Sequence, residues 1–199
     1  MRYKLAGVSL FLPFMLFSQE IRFSSTIGYA VTEMKSFKKI SLCTGINAGF
    51  EFPLKKGLCI TTSVGGFLLR FDYNTPVNAS SIFNSKYFFD IPVSLKKYYL
   101  LSKKSRCYWE FGLVSSYQFF DKKEIKLGSG SSVEKKRNLG FNFGVIGSFG
   151  FKTIINNRIS FDIGLLARTD YLFSYKNSDD KTKTDQKLLL LSLYRRLGK

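Results

Sequence analysis

From Ile21 onward the chain alternates. One run sets Ile40, Leu42, Thr44, Ile46, Ala48, Phe50 and Phe52 in one phase and Ser41, Cys43, Gly45, Asn47, Gly49 and Glu51 in the other. A later run sets Leu139, Phe141, Phe143 and Val145 against Asn138, Gly140, Asn142 and Gly144. A repeat of two puts the two sets on opposite faces of a sheet. Eight such runs are present: Ile21–Val31, Ile40–Phe52, Leu58–Phe71, Lys86–Tyr99, Arg106–Phe119, Asn138–Phe151, Arg158–Thr169 and Lys187–Arg196. Several exceed the roughly 9–11 residues that a tilted strand needs to cross a bilayer, so they are expected to project beyond it.

The connections alternate in length. Pro53–Gly57, Leu101–Ser105 and Thr153–Asn157 read as short turns. Thr32–Lys39 is longer, and Asp72–Ser85, Phe120–Arg137 and Asp170–Gln186 read as long polar loops. Short turns on one rim and long loops on the other is the pattern of outer-membrane barrels. The polar phase is rich in Gly, Ser and Asn, which suits the interior of an eight-stranded barrel, just wide enough for side chains. The rival is a soluble barrel of lipocalin type, which would turn the Phe and Leu phase inward. The expected fold is therefore all-β: an eight-stranded antiparallel up-and-down transmembrane β-barrel with its apolar face toward lipid.

The first residues strengthen that choice. Arg2 and Lys4 precede an apolar stretch from Leu5 to Phe17, and polarity returns at Ser18-Gln19-Glu20. This is the layout of a secretory signal peptide, and the apolar stretch is too short to span a membrane as a helix. The expected organisation is a signal peptide over 1–18, cleaved near Ser18 or Gln19, and one barrel domain over 19–199. No Cys follows the apolar stretch to carry a lipid anchor. An exported chain with no further helical span crosses a membrane only as a closed barrel, so the expected location is a bacterial outer membrane. The 16 Gly, 11 Tyr and 21 Phe against 4 Pro suit strands with an aromatic exterior.

Charge narrows the partners. Lys and Arg number 31 against 14 Asp and Glu, a formal +17. An exported chain without a nucleic-acid motif points to no nucleic acid, and to outer-membrane lipid and lipopolysaccharide instead. The three Cys, with no His in the chain, have no metal-ligand spacing. Counting back from the turn near Lys55 sets Cys43 opposite a residue near Phe67 rather than Cys59, so no disulfide joins them. Tyr29, Tyr87, Tyr98, Tyr99, Tyr108, Trp109, Tyr117 and Tyr171 fall near strand ends as candidates for interfacial girdles.

The polar phase carries Arg22, Glu51, Asp90, Lys96, Glu110, Asp162 and Arg168 into the lumen. Three are basic and four acidic, so a nearly neutral interior is expected, with Arg22 meeting Glu51 and Lys96 meeting Glu110. Buried charges need partners, so a salt-bridge network filling the lumen is favoured over an ion path. Lipid-modifying and proteolytic barrels use a general base, most often His, which this chain lacks, and no Gly-x-Ser-x-Gly occurs. No catalytic residue, cofactor or metal site is expected. In the loop Phe120–Arg137, Lys122, Lys123, Lys126, Lys135, Lys136 and Arg137 form a one-sided basic group suited to lipopolysaccharide phosphates, with Gly128–Ser132 as a flexible tip.

One strand has a motif. Ile91-Pro92, then Leu95-Lys96, then Tyr98 resembles the fourth strand of the PorT-like, small outer-membrane β-barrel domain family of Bacteroidota. Phe17-Ser18-Gln19 is similar to the end of signal peptides in that phylum. The resemblance implies a barrel with a structural or interaction role in the envelope, in protein secretion or envelope assembly with proteins of those systems. A narrow solute or ion pore is the second expectation and a lipid-modifying enzyme the third. Pro92 within a central strand suggests a bulge. Family members end on an aromatic residue; here Tyr194, inside Leu193-Tyr194-Arg195-Arg196-Leu197-Gly198-Lys199, is expected to take that place.

Overall fold

A computed structural model describes residues 20–34, 37–75, 80–127, 130–172 and 182–197; the expected signal segment lies outside them. Eight strands run in chain order: β1 (Glu20–Met34), β2 (Phe37–Pro53), β3 (Leu58–Thr75), β4 (Ser80–Leu100), β5 (Ser105–Leu127), β6 (Gly130–Ile154), β7 (Ile159–Leu172) and β8 (Thr182–Arg196). Each pairs antiparallel with the next, and β8 closes on β1 through pairs such as Ile27 with Leu189. Closure leaves no edge, which a sheet in lipid requires.

The alternation is inside out, as its small polar phase requires. On β6, Phe141 is 61% exposed and Asn142 1%. Phe111, Leu113, Phe143, Phe149 and Leu165 also point outward, while Glu110 and Asp162 point in. Apolar residues face outward on β4 from Leu95 to Tyr87, with Lys97 turned to the short-turn carbonyl of Lys56. Eight steps of about 3.3 Å, tilted by about 40°, set the ends of that run roughly 20 Å apart, and the side chains at both ends extend it toward the roughly 25 Å apolar band of an outer-membrane barrel.

The rims depart from expectation. The short side is as read: turns at Leu54–Gly57, Leu101–Lys104 and Ile155–Arg158. On the far side the expected loops are largely strand. β5 and β6 are 23 and 25 residues long and stay paired out to Leu127 with Gly130, so Phe120–Arg137 is a protruding hairpin. Gly130, Ser131 and Ser132 belong to β6 rather than to a loose tip. Likewise β3 and β4 pair out to Thr75 with Ser80. Polar composition suggested loops, but two polar strands paired above a membrane satisfy their backbone with each other and their side chains with water. The β7–β8 connection, 173–181, lies outside the described residues, as do the shorter stretches 35–36, 76–79 and 128–129.

Other expectations are corrected by register. No bulge forms at Pro92: β3 and β4 keep one register throughout, and pairs are skipped only where Ser63 and Val64 face Pro92 and Ile91. A proline has no N–H for that ladder. The register shifts instead beside Tyr87 and Phe120: Phe119 is the extra residue of β5 against β4, and on β6 two residues, Asn138 and Leu139, span it. The cysteine reading holds: Cys43 lies opposite Leu69, two residues from Phe67, Cys59 lies opposite Pro53, and all three thiols are free.

The inside-out assignment makes a direct prediction. Leu113→Arg, at mid-band on the lipid face, should cost about 2–4 kcal/mol of stability in bilayers. Leu54→Arg, in the short turn, should cost little. Urea titration of both variants in phospholipid vesicles checks this; similar small costs would mean that Leu113 does not face lipid.

Candidate functional site

Two candidate sites emerge: the charged interior, and the outer face of the protruding hairpins. The interior is built by the in-facing phase of every strand. Its centre is Lys96 on β4, fully buried with Asp162 on β7, both at 0% exposure. Their side chains meet at 3.1 Å. The Tyr108 and Tyr194 hydroxyls donate to Asp162 at 2.7 and 2.8 Å, and Lys96 donates to the Tyr194 hydroxyl at 2.7 Å. The Lys96 ammonium also sits 3.7 Å from the centre of the Tyr108 ring, a cation–π contact in a desolvated setting. One carboxylate, one ammonium and two phenols thus satisfy one another across three strand gaps.

Toward the short-turn rim, Lys152 on β6 bridges Glu51, at 3.4 Å, and Glu20. Glu20 and Glu51 are directly opposite on β1 and β2, a repulsive pairing that the shared lysine offsets. The Tyr98 hydroxyl donates to Glu51 at 2.8 Å. Beside this layer Arg22 reaches Glu110 at 3.3 Å, and Glu110 also accepts from Thr61 at 2.7 Å and from Ser94. Higher in the barrel, the Arg168 guanidinium bridges Asp170, at 2.8 Å, and Asp90, and donates to Ser116 at 2.6 Å. Gln186 donates to Asp170 at 2.7 Å.

All seven expected lumen charges, Arg22, Glu51, Asp90, Lys96, Glu110, Asp162 and Arg168, are buried inside. Their pairing differs in part: Lys96 does approach Glu110, directly opposite it, but only at 4.0 Å. Arg22 engages Glu110 and not Glu51, and the nearest carboxylate to Lys96 is Asp162, with Glu51 at 3.8 Å. The expected pairs came from neighbours along the wall. In so narrow a barrel long side chains cross the lumen instead, as Arg22 does from β1 to β5.

Lys152, Asp170 and Glu20 escaped the sequence reading because each lies one residue beyond the run assigned to its strand, though in the inward phase. The interior stays close to neutral: Arg22, Lys96, Lys152 and Arg168 face Glu51, Asp90, Glu110, Asp162 and Asp170, with Glu20 at the rim. The positive excess of the chain lies elsewhere. Tyr98 and Tyr108 are not girdle residues but lumen residues, in phase with Lys96 and Glu110. Tyr194 is committed to Asp162 and is not displayed as a terminal aromatic. Tyr29, Tyr99 and Trp109 do face outward, and the Trp109 indole donates to the Tyr99 hydroxyl at 3.2 Å. Tyr87 and Tyr117 are half-buried; the Tyr171 side chain lies outside those described.

Register divides the basic hairpin group between two faces. Lys122 on β5 stands opposite Ser85 on β4 and Lys135 on β6, and Ser85 stands opposite Arg70 on β3. Lys126 shares that face, with Glu124 between them at 3.3 Å from Lys122 and 3.9 Å from Lys126. Ser85 is in phase with Tyr87 and Phe89, so this is the outer face. Lys123, opposite Asn84 and Glu134, belongs to the other face. The side chains of Lys136 and Arg137 lie outside those described.

No protein-family model matches the chain, and no curated protein matches it. Among solved structures, the barrel is similar to Neisserial surface protein A, with TM-score 0.50 at 13% identity over 89% of this chain and 97% of that one. It is similar to outer membrane protein OprG from Pseudomonas aeruginosa, with TM-score 0.51 at 10% identity over 92% of this chain and 97% of that one. Ail, the attachment invasion locus protein of Yersinia pestis, aligns with TM-score 0.43 at 13% identity over 90% and 99%. The likeness is one of fold. The closed eight-stranded barrel, with its apolar band turned outward, is a small outer-membrane β-barrel of the bacterial outer membrane.

The lumen geometry sets the order of coupling energies. Asp162→Ala removes the nearest carboxylate from Lys96 and should cost up to about 3–5 kcal/mol. Adding Lys96→Met should recover much of that loss. The coupling between Lys96 and Asp162 should exceed that between Lys96 and Glu110. Double-mutant cycles by urea titration in vesicles measure both, and equal couplings would contradict the pairing described.

Proposed function

We propose that this barrel is a non-catalytic structural or interaction protein of the cell envelope, working through its outer surface rather than its lumen. The observation that carries the reading is the plug around Lys96. This residue of β4 is held by Asp162 of β7, Tyr194 of β8 and Tyr108 of β5, with Glu51 of β2 within 4 Å. Opening a path would separate buried charges from their partners, at a cost of several kcal/mol each. The buried carboxylates are engaged by cations and hydroxyls, so none is offered as a general base in place of the absent His.

The Ile91-Pro92, Leu95-Lys96 and Tyr98 motif adds direction. Its resemblance to PorT-like barrels supports a role in protein secretion or envelope assembly, with the mature chain beginning near Gln19. The protruding β3–β4 and β5–β6 hairpins are the surfaces for partners and for lipopolysaccharide.

Planar-bilayer recording tests the reading. The refolded mature barrel should show no unitary conductance in 1 M salt, a condition chosen as roughly strong screening. Steady single-channel steps from the wild-type barrel would overturn it in favour of a narrow pore.

A further inference from the structure

We propose that the outer face formed by Arg70, Lys122, Lys126 and Lys135 around Phe83 holds a lipid A phosphate of outer-leaflet lipopolysaccharide. This rests on the outer-membrane reading of the barrel, not on its closed lumen. The four cations come from β3, β5 and β6, and closure of the sheet places them together. Arg70 lies opposite Ser85, Ser85 opposite Lys122, and Lys122 opposite Lys135. The small Ser85 leaves a recess of about 220 Å³ between the longer side chains, lined by Arg70, Phe83, Tyr87, Lys122, Glu124 and Lys126. That is room for a phosphate and a few waters of about 30 Å³ each.

Three features point to an anion there. Lys122 and Lys135 are directly opposite on one face, an arrangement that repels unless negative charge lies near. Glu124, near Lys122 and Lys126, and Asp72, opposite Phe83 in the same outward phase, are two carboxylates among four cations. Arg70 and Lys126 also stand over the same Phe83 ring, at 5.5 and 5.2 Å from its centre, so the ring gathers two cations onto one spot. An arginine and lysines converging on a recess form a phosphate-binding arrangement.

Position selects a lipid phosphate over a free one. The recess is floored by Ser85, two residues beyond Tyr87, which lines its lower edge and packs on Phe119 and Phe120 at 6.3 and 5.5 Å. Those rings cap the apolar band on the hairpin side, and two residues of strand tilted by about 40° rise about 5 Å, into the headgroup layer. The face looks away from the barrel axis, toward neighbouring lipid. Lipid A carries phosphate at that depth on the outer leaflet.

The test uses the mature barrel in phosphatidylcholine nanodiscs doped with bis-phosphorylated lipid A, with bound lipid A counted by native mass spectrometry. R70Q/K122Q/K126Q should weaken retention by roughly tenfold or more, since each surface cation contributes measurably to anionic-lipid binding. Glu124→Gln, which removes a competing carboxylate, should strengthen it. Lys123→Gln on the opposite face and K103Q/K104Q at the short-turn rim should change it little. Dephosphorylated lipid A should bind the wild type as weakly as the triple variant binds lipid A. Millimolar inorganic phosphate should not displace the lipid; displacement would assign the recess to free phosphate and overturn the proposal. Wild-type retention by a triple variant that still shows native strand content by circular dichroism would overturn it too. Conductance in planar bilayers would bear on the lumen alone and leave this result standing.

Discussion

Everything in this barrel depends on the buried group of Lys96, Asp162, Tyr108 and Tyr194. An eight-stranded barrel has an interior only as wide as the side chains that fill it. A charge there has neither bulk water nor free space, and is tolerated only with partners at bonding distance. Asp162 meets that demand by accepting from two phenols and the ammonium together. Glycines on the next two strands make it possible: a Cβ on Gly150 of β6 or Gly164 of β7 would sit 2.6 Å from the Tyr108 hydroxyl. Small residues in the inward phase are therefore the space that the large inward residues occupy.

The same constraint divides the molecule by height. The short-turn half is filled by cross-lumen ion pairs and tyrosines. The half toward the hairpins combines the Arg168 group with an apolar layer of Phe67, Leu69, Phe88 and Leu188, and the Arg168 guanidinium lies 5.0 Å from the centre of the Phe67 ring. Asn142, buried with both amide atoms lacking a protein partner in the described structure, needs ordered water. With the interior so occupied, the positive excess of the chain lies outside the lumen, on the hairpins and rims.

Much of the fold was legible because its solvent is unusual. Lipid outside and a narrow polar interior impose a strict two-residue period, so which of Phe141 and Asn142 faces in followed from alternation and residue size. The boundaries were less legible. Lys152, Asp170 and Glu20 continued the inward phase but lay one residue past the assigned runs, where no change of composition marks the end. The polar hairpin of β5 and β6 resembled a loop because, outside the membrane, neither face of a strand has to be apolar.

The chain by itself determined the strand count, the inside-out phase, the rim with short turns and the seven charges that enter the lumen. These depend on local alternation and on the size of each side chain. Only the tertiary structure decided which charges meet. Arg22 reaches Glu110 and Lys96 reaches Asp162 across the lumen, over sequence separations of 88 and 66 residues. It also decided that Tyr98, Tyr108 and Tyr194 serve the interior, and that Arg70 and Lys135 join Lys122 on one outer face. Those outcomes follow from closure and register, which bring distant strands together and which no local pattern contains.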